Sequence, residues 1–283
     1  MAEIAFSAPT TLQEAAQALA DEGALAVAGG TNIGLMLRQR LIEPTALVSL
    51  GQIPELGRIE RDASGRLQIG AGATLAQLAT SEVVRETHPG LAKAASVVGN
   101  ARVRAVATIG GAIAHADARQ DVPPVLIATD AAVQTVDGSG RERTIPIREF
   151  YRGLMDTALN EDELIARVVI PVPDGGIESY HRYTPGSLED WPTVSVAIAG
   201  VRGTGGALER LDLGLGAVAS VPVHVPGADL CRGDGELTRE RIAQFARQAS
   251  SLTDPVSDRL GSDAYKREMA AVLVERRLAE LLL

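Results

Sequence analysis

Two glycine pairs are the segments of this sequence in which residue type and spacing most favour ligand chemistry. The first pair follows an apolar run and precedes a helical pattern, in the segment Ala28, Gly29, Gly30, Thr31, Asn32. Consecutive glycines let the backbone turn sharply, and their N–H groups, with those of the following helix, form a nest for an anion. A diphosphate fits such a turn, although a lone glycine pair is also typical of a plain tight turn between strand and helix.

The second pair lies in the segment Thr108, Ile109, Gly110, Gly111, Ala112, and His115, Asp117 and Asp121 follow it before a Pro-Pro step and another helical pattern. Small side chains allow a large planar or sugar-phosphate ligand to come close, and Asp121 can accept hydrogen bonds from ribityl or ribose hydroxyls. A flavin dinucleotide needs one cradle for its diphosphate and another for its ribityl chain. The two segments together therefore indicate FAD more strongly than either segment does alone.

The strands and helices predicted around these segments indicate an α+β fold. Residues 4–50 have the pattern strand, helix, strand, helix, strand, with a capping box at Thr11 and Glu14. A second α/β unit begins near residue 57 with a hairpin at the Ser64-Gly65 turn, and turn residues at 137–140 predict a connection between two further strands. The unit ends with a strand before a Pro- and Gly-rich linker at 172–176. The remainder predicts an antiparallel meander, with a hairpin connection at 203–206, followed by helices.

Composition excludes several classes of protein. The chain has 283 residues, and 27 Lys and Arg against 36 Asp and Glu give a net charge of −9, which argues against a nucleic-acid partner. A single cysteine, Cys231, excludes an internal disulfide, a Cys₄ zinc site and an iron–sulfur cluster held by this chain alone. No apolar stretch predicts a membrane span, no secretory signal is apparent, and a cytoplasmic location is expected.

Other patterns predict no catalytic or metal-binding residues. His115-x-Asp117 has no third ligand at a suitable spacing, so no metal site is expected. The segment 214–219 matches G-x-G-x-x-A, but it lies in a predicted strand with no helix to receive a pyrophosphate. We therefore interpret that match as a false positive.

Four segments, in order, resemble the FAD-binding medium subunits of molybdenum hydroxylases, the group that contains the carbon monoxide dehydrogenase flavoprotein and the flavin domain of xanthine dehydrogenase. They are AGGTN at 28–32, TIGGAIAHADARQDVPP at 108–124, FYRGLMDTALNEDELIARVVIP at 150–171 and SYHRYTPGSLEDWPTVSVAIAG at 179–200. The resemblance implies an FAD-binding domain of the p-cresol-methylhydroxylase (PCMH) type at 1–173, with subdomains 1–56 and 57–173. It further implies a CO-dehydrogenase-flavoprotein-like C-terminal domain of antiparallel sheet plus helices at 177–283.

The resemblance also implies which residues contact FAD. They are the two glycine segments, 28–32 and 108–112, together with His115, Asp117, Asp121, Ile165, His181 and Trp191. Ala112 stands where the family usually has Asn, so backbone groups must hold that side of the cofactor. Near residue 180 relatives often place a Lys or Arg, and here either His181 or Arg182 could face the cofactor. Trp191 could lie against the isoalloxazine or be a tryptophan of the core.

The function implied is electron transfer: a small [2Fe-2S] subunit passes electrons through FAD to an external acceptor, which is NAD, a quinone or O₂. Substrate would be oxidised on a large molybdopterin subunit, in a dimer of heterotrimers. One alternative is a self-sufficient flavin oxidase or dehydrogenase of the PCMH type. Another is a flavin-storing or scaffold protein in which the glycine pairs are only turns.

Overall fold

The chain begins with a three-stranded parallel sheet in the computed structural model, which describes residues 4–205, 207–231 and 237–283. Its elements are β1 (Ala5–Ser7), α1 (Leu12–Ala18), β2 (Ala24–Val27), α2 (Thr31–Arg38) and β3 (Ala46–Ser49), with the strands in the order β1-β3-β2. The capping box is confirmed, since Thr11 accepts from the Glu14 N–H and the Glu14 side chain accepts from the Thr11 N–H. The predicted order of elements is also confirmed.

The second unit is a five-stranded antiparallel sheet with helices, in the strand order β4-β5-β10-β6-β7. After a 3₁₀ turn at Pro54–Gly57 come β4 (Ile59–Arg61), β5 (Leu67–Gly70), α3 (Leu75–Thr80), α4 (Glu82–Thr87), α5 (Pro89–Val97), α6 (Ala101–Val106), α7 (Ile109–His115) and α8 (Val122–Ala128). The unit continues with β6 (Ala132–Val136), β7 (Glu142–Pro146), α9 (Ile147–Phe150), the small hairpin β8 (Tyr151–Gly153) and β9 (Asp156–Thr157), and β10 (Leu164–Ile170).

Both predicted hairpins of this unit close with the same turn, D-x-S-G-R, at 62–66 and 137–141. In each turn the serine hydroxyl donates to the aspartate at 2.6 Å, and the backbone N–H groups of the serine and the arginine donate to the same oxygen. The glycines have φ of +84° and +81°, a conformation that L side chains rarely adopt. These local bonds explain why both turns could be predicted from the sequence.

The third unit is a four-stranded antiparallel sheet with helices on one face. It comprises β11 (Gly176–Tyr183), β12 (Val194–Arg202), β13 (Leu208–Gly216), β14 (Val223–Pro226), α10 (Ala228–Cys231), α11 (Arg239–Ser251) and α12 (Asp263–Leu282). The predicted meander and the two long helices are confirmed. The predicted hairpin connection at 203–206 ends on Gly206, which lies outside the described residues.

Helix α8 joins the second and third units. All seven of its residues are buried, and it packs against β12 and β13. A Cβ at Gly214 would lie 1.9 Å from the Pro124 carbonyl oxygen, so glycine is required there for the helix to approach the sheet. Gly214 thus serves packing between units, in agreement with the rejection of the nucleotide-binding pattern.

Candidate functional site

A cavity of about 630 Å³ opens where the three units meet. Its walls are the start of α2, the start of α7, the first residues of β10 and the loop that precedes β12. Thirteen of the residues predicted to contact FAD line it: Ala28, Gly29, Gly30, Thr31, Asn32, Thr108, Gly110, Gly111, Ala112, His115, Asp121, Ile165 and Trp191. The volume falls within the range of small-molecule and cofactor sites.

The first glycine pair forms an uncapped helix N-terminus at the cavity wall. Helix α2 starts at Thr31 after Gly30, whose φ is +67°, and no side chain caps its first turn. The N–H groups of Thr31, Asn32 and Ile33 find no acceptor among the described residues. A helix start with free N–H groups carries a partial positive charge and binds anions.

The neighbouring glycine, Gly29, has a different role. A Cβ there would lie 1.9 Å from the carbonyl oxygen of Val106, two residues before Thr108. Gly29 therefore allows the first loop to touch the chain at the entrance to the second loop. The sequence predicted that the backbone of this glycine pair comes close to a ligand. At Gly29 the backbone instead comes close to the protein's own chain at Val106.

The second glycine pair provides a close wall rather than an anion nest. The N–H groups of Ile109 and Gly110 donate to backbone oxygens of Ala73 and Ala71 at 3.0 and 2.8 Å, and the Gly111 N–H donates to Thr108 Oγ1 at 3.1 Å. A Cβ at Gly110 would lie 2.6 Å from the Ala71 Cβ. The two glycine segments are thus not equivalent, because the N–H groups of the second are already hydrogen-bonded within the chain.

Asp121 lies at the cavity wall in a buried polar group. Its carboxylate accepts a hydrogen bond from the Tyr180 hydroxyl and pairs with Arg182 Nη1 at 2.9 and 3.1 Å. Burial raises the pKa of the Asp121 carboxyl, and the Arg182 guanidinium opposes that shift. Asp121 does not cap α8 with its side chain. It joins the second unit to the sheet of the third.

Three predicted contacts do not line the cavity. Ile109 is fully buried in the core, and Asp117 pairs with Arg119 at 2.9 Å. His181 follows Tyr180 on β11 and points to the face opposite Arg182, since side chains alternate along a strand. Of the two alternatives near residue 180, the structure brings Arg182 to the cavity.

His181 instead lies beside α12 and α5, near Arg277, Glu280 and Lys93. Burial lowers its pKa, and so do the two nearby cations. His115, by contrast, lines the cavity and is half-buried. Burial also lowers the pKa of His115.

Residues that the sequence did not single out complete the cavity. Glu163 is buried at the wall and pairs with Arg143, while the Asn160 N–H donates to it at 2.8 Å. Met155 lines the cavity with a φ of +55°. Ile165 lies at an irregularity where β10 shifts its register against β6. The only signal for Glu163 was its position two residues before the predicted contact Ile165, since it lies just before β10 begins at Leu164.

The donor set suits a flavin dinucleotide better than a metal. Among the described residues no group of three His, Cys, Asp or Glu side chains could hold a metal ion. The cavity instead combines free backbone N–H groups, small residues and a largely apolar wall with a few charged groups, which matches a diphosphate joined to a planar ring system. No helix in the described part of the chain is long and apolar enough to cross a membrane.

Comparison with known proteins agrees with this site. The family model described as "FAD binding domain in molybdopterin dehydrogenase" matches residues 2–173, and "CO dehydrogenase flavoprotein C-terminal domain" matches 179–281. The fold, the cavity and these matches together show that the chain is an FAD-binding flavoprotein and belongs to the oxidoreductases. The chain belongs to the family of FAD-binding medium subunits of molybdenum hydroxylases.

Individual relatives span nearly the whole chain. The glyceraldehyde dehydrogenase medium chain of Sulfolobus acidocaldarius is 28% identical over 280 residues, which are 99% of this chain and 98% of the relative. The carbon monoxide dehydrogenase medium chain of Hydrogenophaga pseudoflava is 30% identical over 96% of this chain and 95% of its own. A solved structure of carbon monoxide dehydrogenase from the same organism, lacking the Mo-pyranopterin moiety, matches with a TM-score of 0.92, 29% identity and coverage of 99% and 97%.

Proposed function

We propose that this chain is the electron-transfer flavoprotein subunit of a molybdenum-containing hydroxylase or dehydrogenase, with FAD bound non-covalently in the cavity. The uncapped first turn of α2 carries the proposal, because its free N–H groups and positive helix end suit a diphosphate. When bound, FAD supplies a redox centre that takes up and releases two electrons, together or singly.

The remaining walls suit the other parts of FAD. Gly111 and Ala112 expose little side chain, so that the ribityl chain and ring can approach the start of α7. Asp121 retains lone pairs for hydroxyl groups, since a carboxylate offers about four acceptor sites and its two protein partners use only some of them. Ile165 and Trp191 offer apolar surface to a flat ring.

A division of labour between chains follows from what this chain can bind. One cysteine cannot ligate an iron–sulfur cluster, so we assign the [2Fe-2S] cluster to a small partner subunit and molybdopterin to a large one. The relatives' designation as medium chains supports such an assembly, and we propose a dimer of heterotrimers. The external acceptor is NAD, a quinone or O₂.

The test begins with the purified chain. We expect a yellow protein with one FAD per chain, released by acid precipitation, and no turnover of aldehydes, purines or N-heterocycles. Turnover by this chain alone would support the self-sufficient flavoenzyme instead. A colourless protein that takes up no FAD would show that the glycine pairs are only turns.

The second step uses the native host. Affinity purification of the tagged chain should recover two further subunits, with iron, acid-labile sulfide and molybdenum in the complex. Adding substrate and then each acceptor class in turn identifies the electron acceptor. Recovery of the tagged chain without metal-containing partners would contradict the proposed assembly.

A further inference from the structure

Arg182 anchors the backbone that leads into Trp191. Its Nη2 donates to the carbonyl oxygens of Leu188 at 2.6 Å and Asp190 at 2.5 Å, while its Nη1 pairs with Asp121. The loop between β11 and β12 is thereby tied to the start of α8. This tie fixes the backbone before Trp191 but does not fix the indole ring.

A second arginine contacts the ring itself. The guanidinium carbon of Arg119 lies 5.1 Å from the centroid of the Trp191 ring. Asp117 holds this guanidinium with bonds to Nε at 3.1 Å and Nη2 at 2.9 Å, and it also accepts from the Arg119 N–H at 2.9 Å. Trp191 lines the cavity and Arg119 does not, so the arginine contacts the indole from outside the cavity.

We propose that Arg119 is a positioning residue, held by Asp117, that fixes the Trp191 indole at the cavity wall for contact with the flavin. The proposal rests on the proposed function, since it takes FAD to bind in this cavity. It gives Asp117 a role that differs from the predicted contact with the cofactor. Asp117 acts on the site through Arg119 and Trp191.

The effect acts through position because the charge of Arg119 is matched by that of Asp117. Arginine over an indole face is attracted by the ring quadrupole, and at partly exposed sites this contributes about 0.5–1 kcal/mol. A ring held in one orientation costs less to order when a ligand binds. Losing the contact should therefore weaken FAD binding about two- to fivefold, the change that this energy corresponds to.

Tryptophan emission tests the positioning without FAD, since Trp191 is the single tryptophan of the sequence. In apoprotein of the full chain, Arg119→Gln should raise acrylamide quenching and shift the emission to longer wavelength, because the ring is freed. Arg66→Gln is the matched control: Arg66 also binds an aspartate, Asp62, at 2.9 Å, but in a hairpin away from the cavity. It should leave the emission unchanged.

A double-mutant cycle then separates positioning from direct contact with FAD. Arg119→Gln should weaken FAD binding about two- to fivefold in the unsubstituted chain and not at all in a Trp191→Leu background. The proposal is overturned if the apoprotein emission does not change, or if the loss of affinity persists without Trp191. If Trp191→Leu does not fold, the apoprotein emission of Arg119→Gln alone decides.

Failure of the proposed function gives a different result. In that case the unsubstituted chain would bind no FAD, while Arg119→Gln would still change the emission of the apoprotein. The role of Arg119 in holding the ring would then stand, and its role toward the flavin would be overturned.

Discussion

Arg182 Nη1 lies 2.9 Å from Asp121 Oδ2, and this ion pair joins the C-terminal sheet to helix α8 at the cavity wall. The two side chains are only 8% and 2% exposed. A buried pair of this kind leaves an uncompensated charge when one partner is removed, at a cost of about 3–5 kcal/mol. The pair thus affects both the stability of the chain and the shape of the site.

Asp121→Ala should lower the free energy of unfolding of the apoprotein by about 3–5 kcal/mol. It should also weaken FAD binding roughly tenfold to a hundredfold, the loss expected for a charge-assisted hydrogen bond. Urea unfolding and FAD titration measure the two effects separately. Tyr180→Phe is the control, because it removes one bond to Asp121 without reaching the cavity; it should destabilise the chain by about 1.5–3 kcal/mol, the value of a single hydrogen bond to a charged group. An unchanged dissociation constant in Asp121→Ala would leave Asp121 a purely structural role.

Gly111→Val should give a folded, colourless protein. A Cβ at Gly111 meets only Thr108 Oγ1, at 3.1 Å, and the added methyl groups would occupy cavity space that FAD needs. Gly34→Ala, one turn into α2, is the matched control because its Cβ meets nothing within 4 Å. That variant should keep full FAD content and gain about 0.5–1 kcal/mol of stability from helix propensity. Full FAD occupancy in Gly111→Val would place the cofactor elsewhere.

Gly30→Asn and Gly30→Asp form a pair that tests the diphosphate site. Both residues tolerate the left-handed conformation at φ +67°, and both can cap α2. Only aspartate brings a negative charge to the free N–H groups. The affinity of Gly30→Asp for FAD should therefore be lower than that of Gly30→Asn by about tenfold or more. Titration of the two apoproteins decides it. Equal affinities would show that no phosphate lies at this helix start.

Local sequence patterns predicted most of the elements of the fold. The capping box at Thr11 and the two D-x-S-G-R turns are satisfied by bonds within five residues, so the sequence alone contains their partners. The strands β11, β12 and β13 follow from long runs of strand-forming residues between turns. Both glycine segments were found for the same reason.

Contacts between distant parts of the chain account for what the sequence could not predict. The donors of the second glycine segment are consumed by Ala71 and Ala73, whose carbonyls no local pattern places there. The choice between His181 and Arg182 depends on which face of β11 turns toward Asp121, and a shift of one residue reverses it. Asp117 differs, since its partner Arg119 is only two residues away and the pairing is local in the sequence.

The Asp137 turn should make stability depend on pH. Hydrogen bonds, first from the Ser139 hydroxyl and then from the Arg141 N–H, lower the pKa of the Asp137 carboxyl to about 2. The unfolded value is about 4, so the stabilisation is complete above that pH and is lost as pH falls toward about 2. Asp137→Asn should therefore lower the urea midpoint at pH 7, and the difference from the unsubstituted chain should shrink as the pH falls. A difference independent of pH would contradict this origin.

Trp191 gives the prediction that depends most on the flavin itself. If the indole lies on the isoalloxazine, its emission should be strongly quenched in the FAD-loaded chain and should recover when FAD is removed. Trp191→Ala should shift the flavin absorption and the reduction potential without unfolding the chain, because a stacked aromatic ring is lost. Trp191→Phe, which keeps a ring, should largely restore both.

The alternative role for Trp191 is packing of the loop, and the same variants distinguish it. A core tryptophan replaced by alanine costs about 3–5 kcal/mol, so Trp191→Ala would then lower the melting temperature while the flavin spectrum stayed normal. The position argues against that outcome, since Trp191 is half-buried, lines the cavity and follows two exposed acidic residues, Glu189 and Asp190. Among the described residues, Arg119 is the only aromatic or cationic partner of the Trp191 ring. The side of the ring that faces the cavity is therefore open for contact with the flavin. Unchanged emission on removal of FAD would nevertheless end the stacking hypothesis, whatever the melting temperature.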